Sequence, residues 1–182
     1  MAAAFKVRLL TGQRGGEVLG MEWTRLDFHG GWWEIPGTLT KNGEVHRVPL
    51  VPATLAILRE QRARVPESVP WVFANEFGTG SVHHRAKKVA GRMSKLLDFT
   101  FRGHDLRRTC ATGMAEAGVP VESIAKVLNH VDRGARATRV YDRYSYDREK
   151  RAALETWARR LDAILQRKRA DTTVVPFSRG GA

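Results

Sequence analysis

The stretch His104-Asp-Leu-Arg-Arg-Thr-Cys-Ala-Thr-Gly-Met114 sets the arrangement of the rest of the chain. Along it an apolar stripe recurs every four residues, at Leu106, Cys110 and Met114. This spacing predicts a helix over 104–117 that packs one face on the core. His104 and Arg107 are three residues apart and therefore share another face of the same helix. A histidine and an arginine held together on a core helix are candidates for a functional site.

Composition limits the kind of protein this is. A chain of 182 residues is long enough for one domain with a substantial core. Its 31 Lys and Arg against 19 Asp and Glu give a formal charge of +12, which favours a polyanionic partner such as nucleic acid. The single cysteine excludes an internal disulfide. Without a membrane-length apolar run or a signal-peptide pattern, we expect an intracellular protein.

Periodicity and capping signals predict a mainly helical, α+β fold. The predicted helices cover residues 1–10, 14–20, 52–65, 83–97, 104–117, 121–128 and 147–167. Ser81 is the predicted cap of the helix that begins at 83. Residues 168–182, which contain Pro176 and Gly180-Gly181, are predicted to be a disordered tail. The domain is therefore expected to span 1–167.

Three short extended runs predict a small three-stranded antiparallel sheet. They are Leu26–Phe28, Trp32–Pro36 and Thr38–Leu50. Asn42-Gly43 in the third run is a strong signal for a two-residue β-hairpin turn. Lys41 is thus predicted at the tip of a hairpin, immediately before the turn.

Six side chains in a fixed order suggest chemistry on a phosphodiester. They are Arg14, Lys41, His104, Arg107, His130 and Tyr141. Phosphoryl transfer requires dispersal of charge on the non-bridging oxygens, an in-line nucleophile and a proton for the leaving oxygen. Arginines suit the first task, a tyrosine the second and a lysine the third. No pair of acidic metal ligands is evident, which agrees with a mechanism that uses no metal and no cofactor.

The same residues resemble the successive motifs of the tyrosine recombinases, the phage-integrase family. The resemblance extends over about residues 5–165 and rests on Thr11–Trp23, Thr40–Gly43, His104–Thr109, Leu128–His130 and Val140–Tyr144. It implies the catalytic-domain fold of that family. It also implies that Arg14 and Arg107 grip the scissile phosphate, while His104 and His130 hydrogen-bond it and assist proton transfer. Glu17, three residues after Arg14, would steady the helices of the site.

The remaining roles follow from the same resemblance. Lys41 would protonate the leaving 5′ oxygen, and Tyr141 would attack phosphorus to form a 3′-phosphotyrosyl intermediate without ATP or metal. The interval between His130 and Tyr141 is longer than in most members, so Tyr144 or Tyr146 competes as nucleophile. A second departure is Asn129, which stands where the family usually has glycine.

The resemblance also implies a cytoplasmic, nucleoid-associated protein of a bacterium or phage, and double-stranded DNA is the expected partner. The cations predicted to contact its backbone are Arg85, Lys87, Lys88, Arg92, Lys95 and Arg108. In the family the last helix often docks on a neighbouring protomer, so a homo-tetramer on DNA is expected through the stripe from Leu154 to Leu165. Packing of that stripe on its own core, with a monomer in isolation, is the alternative.

Two other functions remain open on the sequence. The helices at 104–117 and 121–128, joined through Gly118-Val-Pro120, also resemble a helix-turn-helix, which allows a non-catalytic DNA-binding remnant. The chain begins almost at the first motif, where family members carry a preceding core-binding domain and an earlier helix, so we expect either an excised catalytic domain or a truncated product with little recombinase activity. A metal-dependent nuclease is the weakest alternative because acidic ligands are missing.

Overall fold

The computed structural model consists of α-helices and one small sheet. It describes residues 1–75, 77–100, 102–130 and 144–171. Within these ranges the side chains of 83–87, 97 and 168–171 are not described. The helices are α1 (Ala2–Thr11), α2 (Gly15–Leu19), α3 (Pro52–Arg62), α4 (His83–Leu97), α5 (Gly103–Glu116), α6 (Val121–Val127) and α7 (Asp147–Asp171). The strands are β1 (Leu26–Asp27), β2 (Trp32–Ile35) and β3 (His46–Pro49). Short 3₁₀ turns lie at Trp23–Arg25 and Gly37–Leu39. The predicted α+β class is confirmed.

The sheet is antiparallel throughout, with strand order β1-β2-β3. Trp33 pairs with Val48 across β2 and β3, and both side chains are buried. Ile35 and His46 form the last pair of the ladder, and both are buried as well. β3 therefore turns His46 and Val48 to the core face, as the alternation of a strand requires.

The predicted two-residue turn at Asn42-Gly43 is wrong. β2 and β3 are instead joined by residues 36–45, which lie outside the ladder. Pro36 has no N–H with which to extend the pairing of the central strand. Lys41 still lies in the connection between the two strands, but within a loop.

Thr40 holds this loop together. Its hydroxyl lies 3.0 Å from the carbonyl oxygen of Gly37 and 2.8 Å from that of Glu44. A Cβ on Gly37 would lie 2.2 Å from the carbonyl oxygen of Gly43, so the two limbs of the loop are in close contact. These contacts outweigh the local preference of Asn42-Gly43 for a tight turn.

α1 lies at the centre of the helical part and packs on α3, α5 and α7. Its alanine-rich sequence favours a helix, and Gly12 ends it with a left-handed φ of 67° and an N–H donated to the carbonyl of Arg8 (2.9 Å). The main core joins α1 to the sheet and to α7. Its largest fully buried side chains include Trp33, Trp157, Met21, Ile35 and Leu50.

Bonds to the sheet and to α1 anchor α7. Near its start, Asp147 forms ion pairs with Arg47 of β3 and with Lys150, 2.9 Å away in the second case. Lys150 also donates to the carbonyl of Arg47 at 2.8 Å. Further along, the indole N–H of Trp157 donates to the carbonyl of Leu9 at 2.8 Å. α7 continues to Asp171, beyond its predicted end at residue 167.

One predicted cap and one predicted helix end are corrected. α4 begins at His83 with Val82 as its N-cap and no side-chain cap, because Ser81 instead forms an isolated β-bridge with Ala74. α3 ends at Arg62, three residues before the predicted end at 65.

Candidate active site

Arg107 is a buried cation that joins three segments of the chain. It lies in α5, and only 4% of its surface is exposed. One guanidinium nitrogen donates to the carbonyl of Gly12 at 2.9 Å, and the other donates to the carbonyl of Leu128 at 2.5 Å. Burial lowers the pKa of Arg107 to about 10, with a smaller contribution from the charge of Arg14, so the group stays protonated at neutral pH. The result is a fixed positive charge between α1, α5 and α6.

Arg14 is held by Glu17. It is the N-cap of α2, and its backbone N–H donates to Glu17 Oε2 at 2.7 Å. Its guanidinium forms an ion pair with Glu17 Oε1 at 2.9 Å. The Glu17 side chain is 3% exposed and that of Arg14 is 30% exposed, so a buried carboxylate orients a partly accessible cation.

Of the two histidines, His130 lies within the field of these arginines. Both histidines are exposed, His104 in the first turn of α5 and His130 just beyond α6. Partial burial lowers the pKa of His130, and the charges of Arg107 and Arg14 lower it further. His104 acts on His130 in the same direction. His130 is therefore largely neutral at pH 7, with a nitrogen free of its proton.

The C-terminus of α6 is capped by groups that the sequence did not predict. The carbonyl of Val127 accepts from Gln13 Nε2 at 2.8 Å, and His46 Nε2 lies 3.1 Å from the same oxygen. Arg107 takes the next carbonyl, that of Leu128. These bonds satisfy oxygens that a helix end leaves without partners and fix the turn that carries His130. Of the two side chains at the Val127 carbonyl, only His46 could have been anticipated, because the alternation of β3 turns it inward.

The loop that carries Lys41 is joined to the turn before His130 through the next residue, Asn42. The Lys41 side chain is exposed, while the adjacent Asn42 is half-buried against Asn129. Asn42 Nδ2 donates to Asn129 Oδ1 at 3.0 Å, and Asn129 Nδ2 donates to Asn42 Oδ1 at 3.3 Å. The loop between β2 and β3 is thereby bound to the turn that precedes His130.

Tyr141, the predicted nucleophile, lies outside the described residues, but both competing tyrosines are described. The hydroxyl of Tyr144 donates to Glu149 Oε1 at 3.2 Å. Loss of hydration and the nearby Glu149 carboxylate raise the pKa of Tyr144. The Tyr146 ring lies 3.9 Å from Lys126 Nζ and packs edge-on against Tyr144. Each competing tyrosine is engaged with a charged side chain.

The predicted DNA-backbone cations lie in two places. On α4, Lys88, Arg92 and Lys95 are exposed, whereas the side chains of Arg85 and Lys87 lie outside the described part of the chain. Arg108 is also exposed, but it lines a cavity between α5 and α7 together with Trp157 and Arg160. Arg107 is instead buried against the carbonyls of Gly12 and Leu128, so these adjacent arginines have different surroundings.

The described residues form neither a metal-binding cluster nor a membrane-spanning helix. Among them, no group of three or more His, Cys, Asp or Glu side chains is arranged to hold a metal ion. No helix in the same part of the chain combines the length and the apolar character needed to cross a membrane.

Residues 1–148 match the sequence model of the phage integrase family. The chain is 29% identical over 154 residues to the prophage integrase IntA of Escherichia coli K12, covering 85% of this chain and 37% of that protein. It is 26% identical over 167 residues to the tyrosine recombinase XerC of Natranaerobius thermophilus, covering 78% of this chain and 54% of the relative. The chain thus spans roughly a third to a half of the length of these relatives.

Solved structures resemble the fold. The integrase from mycobacterium phage Brujita superposes with a TM-score of 0.63 at 19% identity, covering 86% of this chain and 50% of that one. The XerH site-specific recombinase, bound to its difH substrate in a pre-cleavage complex, superposes with a TM-score of 0.58 at 20% identity. That match covers 83% of this chain and 45% of XerH.

Proposed function

The chain belongs to the phage integrase family, the tyrosine recombinases, and we propose that it is a catalytic domain that breaks and rejoins DNA strands through a covalent phosphotyrosine. The observation that carries the proposal is the buried Arg107, which is bonded to the segments before Arg14 and before His130. Side chains from distant parts of the chain thus share one electrostatic environment.

Arg14 and Arg107 would bind the non-bridging oxygens of the scissile phosphate. Both are oriented before DNA arrives, one by the Glu17 carboxylate and the other by two backbone carbonyls. Pre-oriented donors stabilise developing charge without a reorganisation cost during the reaction. Two protonated guanidinium groups supply the charge dispersal that phosphoryl transfer requires.

Tyr141 would then attack phosphorus. The phenolic oxygen forms a bond to phosphorus, the bond from phosphorus to the 5′ oxygen breaks, and the product is a 3′-phosphotyrosyl link. The phenolic proton passes to a neutral histidine, and the lowered pKa of His130 supports that role. Lys41 gives a proton to the leaving 5′ oxygen. Attack by a 5′ hydroxyl on the phosphotyrosine reverses these steps and rejoins a strand, without ATP.

The surroundings of the other tyrosines support Tyr141 as nucleophile. A raised pKa and a bond to the Glu149 carboxylate make the Tyr144 phenolate harder to form. Tyr146 packs on Lys126. Either tyrosine would have to give up these contacts before it could attack a phosphate.

Double-stranded DNA is the proposed substrate and partner, inside the bacterial cell. Charge of +12 and exposed cations on α4 support binding to the phosphate backbone. The complex of XerH with difH is an example of DNA bound by a protein of similar fold. We further propose assembly into a tetramer on DNA through the end of α7, where Ile164 and Leu165 are 41% and 52% exposed.

Covalent capture tests the reaction. The full chain is incubated with a library of nicked duplexes whose sequence is randomised around the nick, so that the leaving strand diffuses away and the adduct accumulates. A protein–DNA band that survives denaturation is expected, and sequencing the trapped DNA identifies the preferred site. Peptide mass should locate the DNA on Tyr141.

Matched variants assign the nucleophile. Tyr141→Phe should abolish the adduct and retain DNA binding, while Tyr144→Phe should retain both. An adduct that persists in Tyr141→Phe would show that the nucleophile is misassigned. Salt-dependent DNA binding by the unaltered chain without any adduct would instead favour the non-catalytic DNA-binding protein.

A further inference from the structure

A reciprocal pair of amide hydrogen bonds connects the loop of Lys41 to the turn of His130. Asn42 and Asn129 each donate to and accept from the other, at 3.0 and 3.3 Å. They are 87 residues apart in sequence and both half-buried. Asn42 directly follows Lys41 and Asn129 directly precedes His130, and both of these neighbours are residues of the proposed site.

The turn side of this contact is rigid. Asn129 has a left-handed φ of 49°, a conformation that asparagine tolerates better than most side chains. The N–H of His130 donates to the carbonyl of Ala125 at 2.9 Å, which closes the end of α6. A glycine would satisfy the backbone at position 129 equally well, but only a side chain there can reach Asn42.

The loop side needs an anchor. Thr40 bonds both limbs of residues 36–45 to each other, but these bonds lie within the loop and do not fix it against the helices. The exposed Lys41 side chain makes no hydrogen bond or ion pair within the described part of the chain. The Asn42–Asn129 pair is therefore a side-chain contact that joins the middle of this loop, next to Lys41, to the His130 turn.

We propose that Asn42 and Asn129 are positioning residues that hold Lys41 in reach of the leaving 5′ oxygen. The inference rests on the proposed function, in which Lys41 is the proton donor. A general acid has to lie within hydrogen-bond distance of the oxygen it protonates. An ammonium on a flexible stem in an unanchored loop would rarely meet that condition, and a displacement of about 1 Å can slow a reaction about a hundredfold.

The leaving group provides a test that separates positioning from general damage. In a substrate whose bridging 5′ oxygen is replaced by sulfur, the departing thiolate needs no proton. A defect in the proton donor therefore disappears on this substrate, whereas a defect in phosphate binding or in folding persists. The substrate is made on the sequence recovered from covalent capture and is used with the full chain.

Three variants are expected to share one pattern. Lys41→Ala should slow adduct formation on the oxygen substrate by about a hundredfold. Asn42→Ala and Asn129→Gly should slow it by about tenfold, because the lysine remains but is poorly placed. On the sulfur substrate all three should react within about twofold of the unaltered chain.

Glu44→Ala is the matched control, since Asn42 also contacts Glu44, at 3.4 Å. This variant should react normally on both substrates. Normal rates for Asn42→Ala and Asn129→Gly on the oxygen substrate, or equal slowing on both substrates, would overturn the positioning role. A Lys41→Ala variant that is not rescued by sulfur would instead show that the proposed proton donor is wrong, and the positioning role fails with it.

If the chain forms no adduct on any DNA, hydrogen exchange still tests the contact between Asn42 and Asn129. Asn129→Gly should then accelerate exchange of the backbone amides of residues 40–44 by about tenfold, because the loop opens locally. Unchanged exchange in that segment would show that the amide pair does not hold the loop.

Discussion

His46 is a histidine that the folded structure keeps neutral. It is 6% exposed on β3, and burial lowers its pKa to about 4 from the ordinary 6.5. The charge of Lys150 acts in the same direction, while the bond to the carbonyl of Val127 opposes the shift. That bond needs an N–H on Nε2, which the neutral ring can supply.

Acid should destabilise the fold through this residue. The unfolded chain protonates His46 near pH 6.5 and the folded chain only near pH 4, so stability is lost as the pH falls between those values. The loss should reach about 2 kcal/mol at pH 5 relative to pH 7.5. Urea unfolding at both pH values measures it.

His46→Gln separates this contribution from that of the other ionisable groups. Glutamine retains a donor for the carbonyl of Val127 but does not titrate. The variant should lose about 2 kcal/mol less than the unaltered chain on going to pH 5. An identical loss in both proteins would show that His46 is not the titrating group.

α5 and α7 pack so closely that one position has no room for a side chain. A Cβ on Gly113 would lie 2.1 Å from the ring of Trp157, whose indole is buried and bonded to the carbonyl of Leu9. By contrast, a Cβ on Gly91 in α4 would meet no atom of another described segment within 4 Å. Both glycines lie in helices, but Gly113 is tightly packed and Gly91 has open space beside it.

Alanine at these two positions should change stability in opposite directions. Gly113→Ala should lower the free energy of unfolding by about 2 kcal/mol, because the Trp157 ring has to move. Gly91→Ala should raise it by about 0.5 to 1 kcal/mol, the ordinary gain of helix propensity. Urea melts of both variants measure the difference, and a stabilising Gly113→Ala would contradict the packing.

The charge of the whole molecule should dominate DNA binding. A plot of the logarithm of the DNA-binding constant against the logarithm of salt concentration has a negative slope. Replacing the exposed Lys88, Arg92 and Lys95 of α4 by alanine should make that slope shallower by about 2 to 3. Fluorescence anisotropy at several salt concentrations measures the slope. Replacing Arg59, Arg64 and Arg159, three exposed arginines on other segments, is the charge-matched control. An equal change in both triple variants would show that α4 is not the contact surface.

α7 has a buried half and an exposed half, and deletions should distinguish them. Leu154 and Trp157 are 0% and 2% exposed, whereas residues 162–167 are exposed. Removing 148–182 should unfold the domain, since loss of a buried Trp alone costs about 3 to 5 kcal/mol. Removing 162–182 should retain the fold by circular dichroism and lose tetramers on DNA by light scattering. Tetramers that survive this deletion would exclude the end of α7 as the docking element.

Local sequence was enough to predict most helices and to propose the members of the site. The stripe at Leu106, Cys110 and Met114 placed α5 within one residue of its ends, because helix periodicity depends on neighbours a few residues apart. Arg14 and Glu17, three residues apart, are likewise close enough along the chain to form the ion pair that the structure shows. Ordered motifs pointed to the residues of the proposed chemistry before any contact among them was known.

Tertiary structure alone decided how those residues are held. The carbonyl bonds of Arg107, the caps from Gln13 and His46, and the Asn42–Asn129 pair join segments that are far apart in sequence. One member of this pair, Asn42, is the residue that the local sequence assigned to a two-residue hairpin turn. Such contacts have no periodic signature, because they arise only when separately formed elements dock and their unpaired polar groups find partners.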